Sequence, residues 1–200
     1  ILYIFLTFFI FILLYFFEFR VLDSFNLSLS IISSGGFLPV NSLNEIIRTE
    51  NQKLIISLSM LISFFSLYTL YNVMRLKKSV NLYQEDILLL CYLIFLVLVT
   101  YILFNGYFDY NSIFFSLVSS LSGIGFAPNK TYDELSIFFL FILIIGGGFF
   151  STSSGFKFVK FLILIKYSFN VILISARPKH IIKTRFFFSN LEINYNEIAK

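Results

Sequence analysis

Among the uncharged runs of this chain, Ile1 to Phe17, Leu54 to Met74 and Ile87 to Phe104 are apolar and of near-spanning length. A hydrocarbon layer of about 30 Å takes about 20 apolar residues as a helix, because each residue advances it by about 1.5 Å. No water reaches a backbone amide inside that layer, so the run must satisfy its own polar groups, and a helix does so. Composition agrees: 58% of residues are hydrophobic, 20% aromatic and 13% charged, with a mean hydropathy of +0.88. A soluble domain carries about 25% charged residues, which excludes a soluble enzyme, and a disordered chain would be less apolar still. The expected fold class is an all-α polytopic membrane protein.

The spans are expected at 1–19, 54–74 and 87–105. A fourth apolar region, 135–173, is too long for one straight crossing and is interrupted from Gly146 to Gly155, so it reads as a broken helix. Between the spans lie stretches too apolar for loops and too short to cross, expected as half-membrane helices at 24–32 and 111–121. Asp23 or Ser24 is expected to cap the first, and Asp109, Asn111 or Ser112 the second. Each ends in a small-residue turn: Ser33, Ser34, Gly35, Gly36, Phe37, and Ser122, Gly123, Ile124, Gly125, Phe126. Aligning Phe37 with Phe126 superposes span, half-helix, turn and span, a unit of about 90 residues occurring twice, over 1–75 and 76–175. Each copy crosses an even number of times, so both have one orientation and can surround a common axis. Residues 176–200 follow as a cytoplasmic linker.

The net charge is +4. Arg75, Lys77 and Lys78 lie on one side, joined there by Arg177, Lys179, Lys183 and Arg185, which makes that side cytoplasmic and turns both Gly-Phe segments outward. Basic residues gathered into such short stretches argue for membrane topology and against a nucleic-acid partner. The chain opens at Ile1 on an apolar run with no basic segment before it, which reads as a fragment rather than a signal peptide.

Non-helical backbone at membrane depth survives only where protein or a water-filled cavity satisfies it. Glycine allows positive φ and close approach, so a turn built on it can aim successive carbonyls at one axis and replace a cation's hydration shell. A helix C-terminus carries about half a negative charge, and both half-helices direct theirs at such a turn. A dehydrated alkali cation is the ligand expected for Ser33 to Gly36 and Ser122 to Gly125. Neither turn holds a carboxylate, against a ring for divalent ions. The plainer alternative is a pair of re-entrant hairpins packed between spans.

The break contains Gly146, Gly147, Gly148, Ser151, Thr152, Ser153, Ser154 and Gly155, enough to weaken a helix over more than two turns. It reads as a movable intramembrane segment, or else as small residues that let helices approach closely. Its spacing is not that of a phosphate-binding loop. Lys157 and Lys160 follow; snorkelling explains both, while Lys157 is also placed to face a cavity beneath a pore. No span core holds Asp or Glu, His180 is the only histidine, and Cys91 is a lone cysteine expected to pack within its run. No enzymatic activity, bound cofactor or further metal site is expected.

The pattern resembles the TrkH and KtrB superfamily of potassium transporters, which repeat a helix, pore-helix, filter and helix unit four times. Asp23, Ser24, Phe25, Asn26, then Ser33 to Phe37, is similar to that family's second pore segment, Asp-Ala-Leu-Asn leading to Thr-Gly-Gly-Phe, with Ser34 where threonine is usual. Ser122 to Phe126 resembles its third, Thr-Thr-Thr-Gly-Phe, with Gly123 and Ile124 departing. Ile145, Gly146, Gly147, then Ser151 to Lys157, resembles Gly-Gly followed by Gly-Ser-Thr-Ala-Gly-Gly-Ile-Lys, with Phe150 and Ser154 in place of two glycines. Arg177 to Ile182 resembles the His-Pro linker of TrkH rather than KtrB. The resemblance covers the chain as repeats two and three of four.

The resemblance implies a four-repeat potassium-channel-like fold and potassium uptake across the bacterial inner membrane. It places the ion on the carbonyls of Ser33, Ser34, Gly35, Gly36, Ser122, Gly123, Ile124 and Gly125. It makes 146–155, with Lys157, a gate below them. It implies a homodimer in the lipid bilayer and a TrkA-type cytoplasmic nucleotide-binding regulatory subunit. The alternatives are a KtrB-like, sodium-dependent subunit and a non-transporting membrane scaffold.

Overall fold

In a computed structural model, residues 2–40, 42–67, 80–104, 109–127, 133–148, 150–176, 184–186 and 189–193 are described. The helices are α1 (Leu2–Phe16), α2 (Val21–Ser33), α3 (Glu50–Phe64), α4 (Val80–Phe104), α5 (Tyr110–Ser122), α6 (Asp133–Ile144) and α7 (Phe158–Ala176). A short 3-10 turn, Leu43–Glu45, lies between α2 and α3. An antiparallel hairpin, β1 (Thr184–Phe186) and β2 (Ser189–Ile193), is the one departure from an all-helical chain among the described residues, and it falls in the stretch expected as a linker.

The core is built around α3 and α5, which share the most extensive helix contact, with α1 laid against α2. On α1 the buried residues are Leu6, Ile10 and Leu14, four apart and so on one stripe of the helix. Ser57, Ser59 and Ser63 are buried on α3, and each turns its hydroxyl back onto the carbonyl three residues earlier, at 2.7 Å. Small side chains that satisfy themselves let α5 approach closely with its buried Phe115, Leu117, Val118 and Leu121. Outside the core lies a shell of exposed Phe, Ile, Leu and Tyr on α1, α4, α6 and α7. An apolar surface so continuous is suited to lipid rather than water. Asp86–Leu103 of α4 is, among the described residues, the one helical stretch both long and apolar enough to cross a membrane.

The start of α3 fastens three elements. Thr49 and Gln52 form a reciprocal cap, and Gln52 Nε2 donates to Phe17 O at 2.9 Å, holding the end of α1. Lys53 Nζ reaches Ser112 Oγ at 3.2 Å while Asn111 Nδ2 donates to Glu50 Oε2 at 3.2 Å, so the first turns of α3 and α5 are tied together.

Several boundaries differ from those expected. The first half-helix begins at Val21, not at residue 24, because the chain reverses at Glu18 (φ 62) and Arg20 is already the residue before the helix. Asp23 therefore sits in the first turn, Ser24 is buried inside the helix, and neither caps it. Asp109 does hold the cap position of α5, but its carboxylate accepts nothing there; its main-chain oxygen takes the bonds from Ser112 and Ile113. The second span was expected to run from 54 to 74, yet α3 ends at Phe64 and Phe65 is extended. Partners from elsewhere in the chain, described below, take the place of its next helical turn. The span expected at 87–105 begins earlier, at Val80. Cys91 is exposed on α4 rather than packed inside, on a helix whose outer face is apolar. Of the basic residues expected to mark the cytoplasmic side, Arg75, Lys77, Lys78, Arg177, Lys179 and Lys183 lie outside the described residues, as does His180.

Candidate functional site: two turns and an intramembrane loop

Both half-helices are 13 residues long, and they end in the same way. After α2, Gly35 N donates to Ser30 O at 3.0 Å and Ser34 N to Ile31 O at 3.2 Å. After α5, Ile124 N donates to Ser119 O at 3.2 Å and Gly123 N to Ser120 O at 3.1 Å. These are paired Schellman closures. Ser33 Oγ folds back onto Ser30 O at 3.3 Å, and Ser122 Oγ onto Ser119 O at 3.1 Å. The left-handed residues also correspond: Ser34 (φ 50) with Gly123 (φ 68), then Gly36 (φ 69) with Gly125 (φ 80). Positive φ at every second residue lets successive carbonyls turn to one side instead of alternating.

The two turns meet. A Cβ placed on Gly36 would run into the carbonyl oxygen of Ile124, so only glycine allows this approach. Two helix C-termini, each with about half a negative charge, thus converge on one place. Among the described residues, no group donates a hydrogen bond to the carbonyls of Ser34, Gly35, Gly36, Ile124 or Gly125. Each turn borders a cavity, of about 260 Å³ at Ser33 and Phe37 and about 240 Å³ at Gly125 and Phe126. Each is roomy enough for several waters at about 30 Å³ apiece. Oxygen lone pairs and helix-end charge are what a cation shedding its water requires.

The turns are not equally fixed. Ser119 Oγ donates to Phe126 O at 2.6 Å and holds the second turn to its helix, and Phe126 is buried. At the corresponding place in the first turn Ser30 Oγ is buried without a partner among the described residues, and Phe37 is 78% exposed.

Between α6 and α7 the helix is broken, as the sequence suggested. The chain crosses itself there: Gly146 N donates to Phe156 O at 2.9 Å and Phe156 N to Ile144 O at 2.8 Å. The loop so closed docks on the end of α3. Gly148 N donates to Phe64 O at 3.0 Å and Ser153 N to Ser63 O at 3.2 Å, supplying donors to helix-end carbonyls that have none in their own helix. Leu67 N reaches Phe150 O at 3.4 Å from the other direction. This docking explains why α3 stops at Phe64. Inside the loop, Ser153 Oγ accepts from Gly147 N at 2.8 Å and lies 2.8 Å from Ser151 Oγ.

Lys157 does not snorkel. Its Nζ folds back into the loop and donates to Ser153 O at 2.7 Å, Ser151 O at 3.0 Å and Ser151 Oγ at 3.1 Å. An ammonium has three protons to give, and three oxygens of one short loop receive them. The loop also touches the second turn, where Ser154 Oγ donates to Gly123 O at 3.4 Å. All the residues named from the sequence as filter and gate therefore fall in two contiguous regions in mutual contact. Sequence reasoning missed the dock at Ser63 and Phe64 and the tie from Ser119. The signal for the dock was present in the serines of α3 at 57, 59 and 63, a polar seam in an otherwise apolar run.

No family model matches the chain, and no curated protein matches it in sequence. Among solved structures it is similar to the potassium transporter TrkH from Vibrio parahaemolyticus, with a TM-score of 0.76 over 93% of this chain at 19% identity. The chain spans 43% of that transporter's length. The likeness establishes a TrkH-like fold.

Proposed function

We propose that this chain moves potassium across the bacterial inner membrane as part of a channel-like transporter of the Trk type. The observation that carries this reading is the contact, at Gly36 and Ile124, between two helix ends closed in the same way, with the carbonyls of Ser34, Gly35, Gly36, Ile124 and Gly125 taking no donor among the described residues. In this reading the segments are two of the four quarters of a filter, repeats two and three, and the other two complete the ring of oxygens. The Gly146–Gly155 loop is the gate, and the ammonium of Lys157 holds it across the path. A homodimer in the bilayer and a TrkA-type nucleotide-binding subunit on the cytoplasmic side complete the assembly. The TrkH-like fold supports all of this as analogy.

The experiment is rubidium uptake in transport-deficient bacteria expressing the chain from its full reading frame, against Gly125→Asp at equal membrane abundance. A carboxylate in a ring built for carbonyls should remove uptake. Uptake that persists in the mutant would sink the filter assignment, and uptake that requires sodium would move the assignment to the KtrB type.

The clamp makes a separate prediction. Lys157→Gln withdraws a charged donor from three oxygens, each such bond contributing about 1.5–3 kcal/mol. Basal rubidium flux per membrane copy should rise about tenfold as the loop loosens. An unchanged basal flux would show that the ammonium does not hold the gate.

A further inference from the structure

The two turns differ at one corresponding position. After α2, Ser34 occupies the left-handed position and brings its own hydroxyl, whose Oγ is buried without a partner among the described residues. After α5, Gly123 occupies that position and brings none. The space is filled from outside the turn. A Cβ built on Gly123 falls onto Ser154 Oγ, with Ser154 Cβ at 2.9 Å and Ser154 N at 3.1 Å. That same Oγ donates to Gly123 O. The loop thus delivers to the second turn the kind of group that the first turn carries itself.

Resting on the potassium reading, we propose that Ser154 belongs to the filter as well as to the loop, as a removable oxygen ligand for the cation at the inner end of the second turn. Its bond to Gly123 O, at 3.4 Å, is long for a hydroxyl donor, which usually sits about 2.7–2.8 Å from its acceptor. A bond so long is readily exchanged. Without a cation the hydroxyl proton rests on Gly123 O; with one, the hydroxyl turns and offers a lone pair, since it is donor and acceptor both. Ser154 is exposed. Ion and loop are then coupled: a cation at this site favours the docked loop, and undocking weakens the site by the same factor. Ion occupancy at the inner site is thereby sensed by the gate.

The test exchanges the side chain across the contact. Ser154→Gly, Ser154→Thr, Gly123→Ser and the double Gly123→Ser/Ser154→Gly are expressed from the full reading frame. Each is measured for rubidium KM and maximal rate, and for thermal midpoint in detergent with potassium or choline chloride. Ser154→Gly should raise KM about three- to tenfold, the effect of one neutral oxygen, without lowering the maximal rate per copy. Ser154→Thr should keep the original KM. Gly123→Ser alone should lose uptake because the collision of its Cβ with Ser154 distorts the second turn itself. The double variant should recover uptake to within about threefold, since residues in direct contact do not act additively; serine at Ser34 already tolerates the same backbone conformation.

An unchanged KM in Ser154→Gly, or a double variant no better than Gly123→Ser, would overturn the proposal. If the unaltered chain takes up no rubidium, the potassium reading fails, and the midpoints still decide the exchange. A potassium-dependent rise restored in the double variant supports it, and simply additive losses overturn it.

Discussion

Alanine at Gly36 is expected to lower rubidium uptake about a hundredfold at equal membrane abundance, equivalent to about 3 kcal/mol. Two costs combine. The backbone at Gly36 has φ 69, where a side chain costs about 1–2 kcal/mol, and its Cβ would meet the carbonyl oxygen of Ile124. That oxygen belongs to the neighbouring turn, so relieving the collision means parting the two turns of the proposed filter. Gly125 supplies the internal control. It has φ 80, but a Cβ there meets nothing within 4 Å, so Gly125→Ala should cost only the backbone strain, about a tenfold loss. Equal losses in the two variants would show that contact between the turns is irrelevant to transport. Normal uptake by Gly36→Ala would remove the first turn from the filter altogether.

Alanine at Gly147 is expected to open the path. A Cβ at that position would strike the Phe64 carbonyl oxygen and come within 2.7 Å of Ser153 Oγ, so the loop cannot lie on the end of α3. The bonds from Gly148 N to Phe64 O and from Ser153 N to Ser63 O are then lost together. Each buried carbonyl left without a donor costs about 1–3 kcal/mol. Rubidium flux per copy in cells lacking a regulatory subunit should rise about tenfold or more, while the thermal midpoint in detergent falls. The scaffold alternative predicts something else: if the glycines serve only for packing, the midpoint falls and no flux appears.

Much of this arrangement was legible in the sequence, for reasons that can be named. The turns at Ser33 to Phe37 and Ser122 to Phe126 stood out because small residues interrupt apolar stretches where no loop is tolerated, and the backbone shows the same left-handed positions in each. The break after Ile144 was visible because three glycines and four hydroxyl residues cannot sustain a helix in lipid. What stayed hidden depends on distant partners. The end of α3 at Phe64 is set by donors about 90 residues further along the chain, and Leu54 to Met74 alone reads as one continuous helix. Snorkelling was expected of Lys157 because a lysine beside an apolar run ordinarily reaches for the membrane surface, whereas the folded loop offers it three oxygens at closer range. The start of α2 was set too late because the reading looked for a polar cap, whereas the chain reversal at Glu18 starts the helix without one.

The docking of the loop on α3 has a bearing on how water enters. While it is in place, Ser63 O and Phe64 O have their donors from the loop itself, and that end of the helix needs no solvent. Once the loop leaves, the same two oxygens face a space from which the donors have departed, and only water is small enough to replace them. If the loop is the proposed gate, its displacement and the hydration of the path are a single event. A dry displacement would leave two helix-end oxygens bare in an apolar surrounding, so under the proposed gating role the path would be either closed and dry or open and wet.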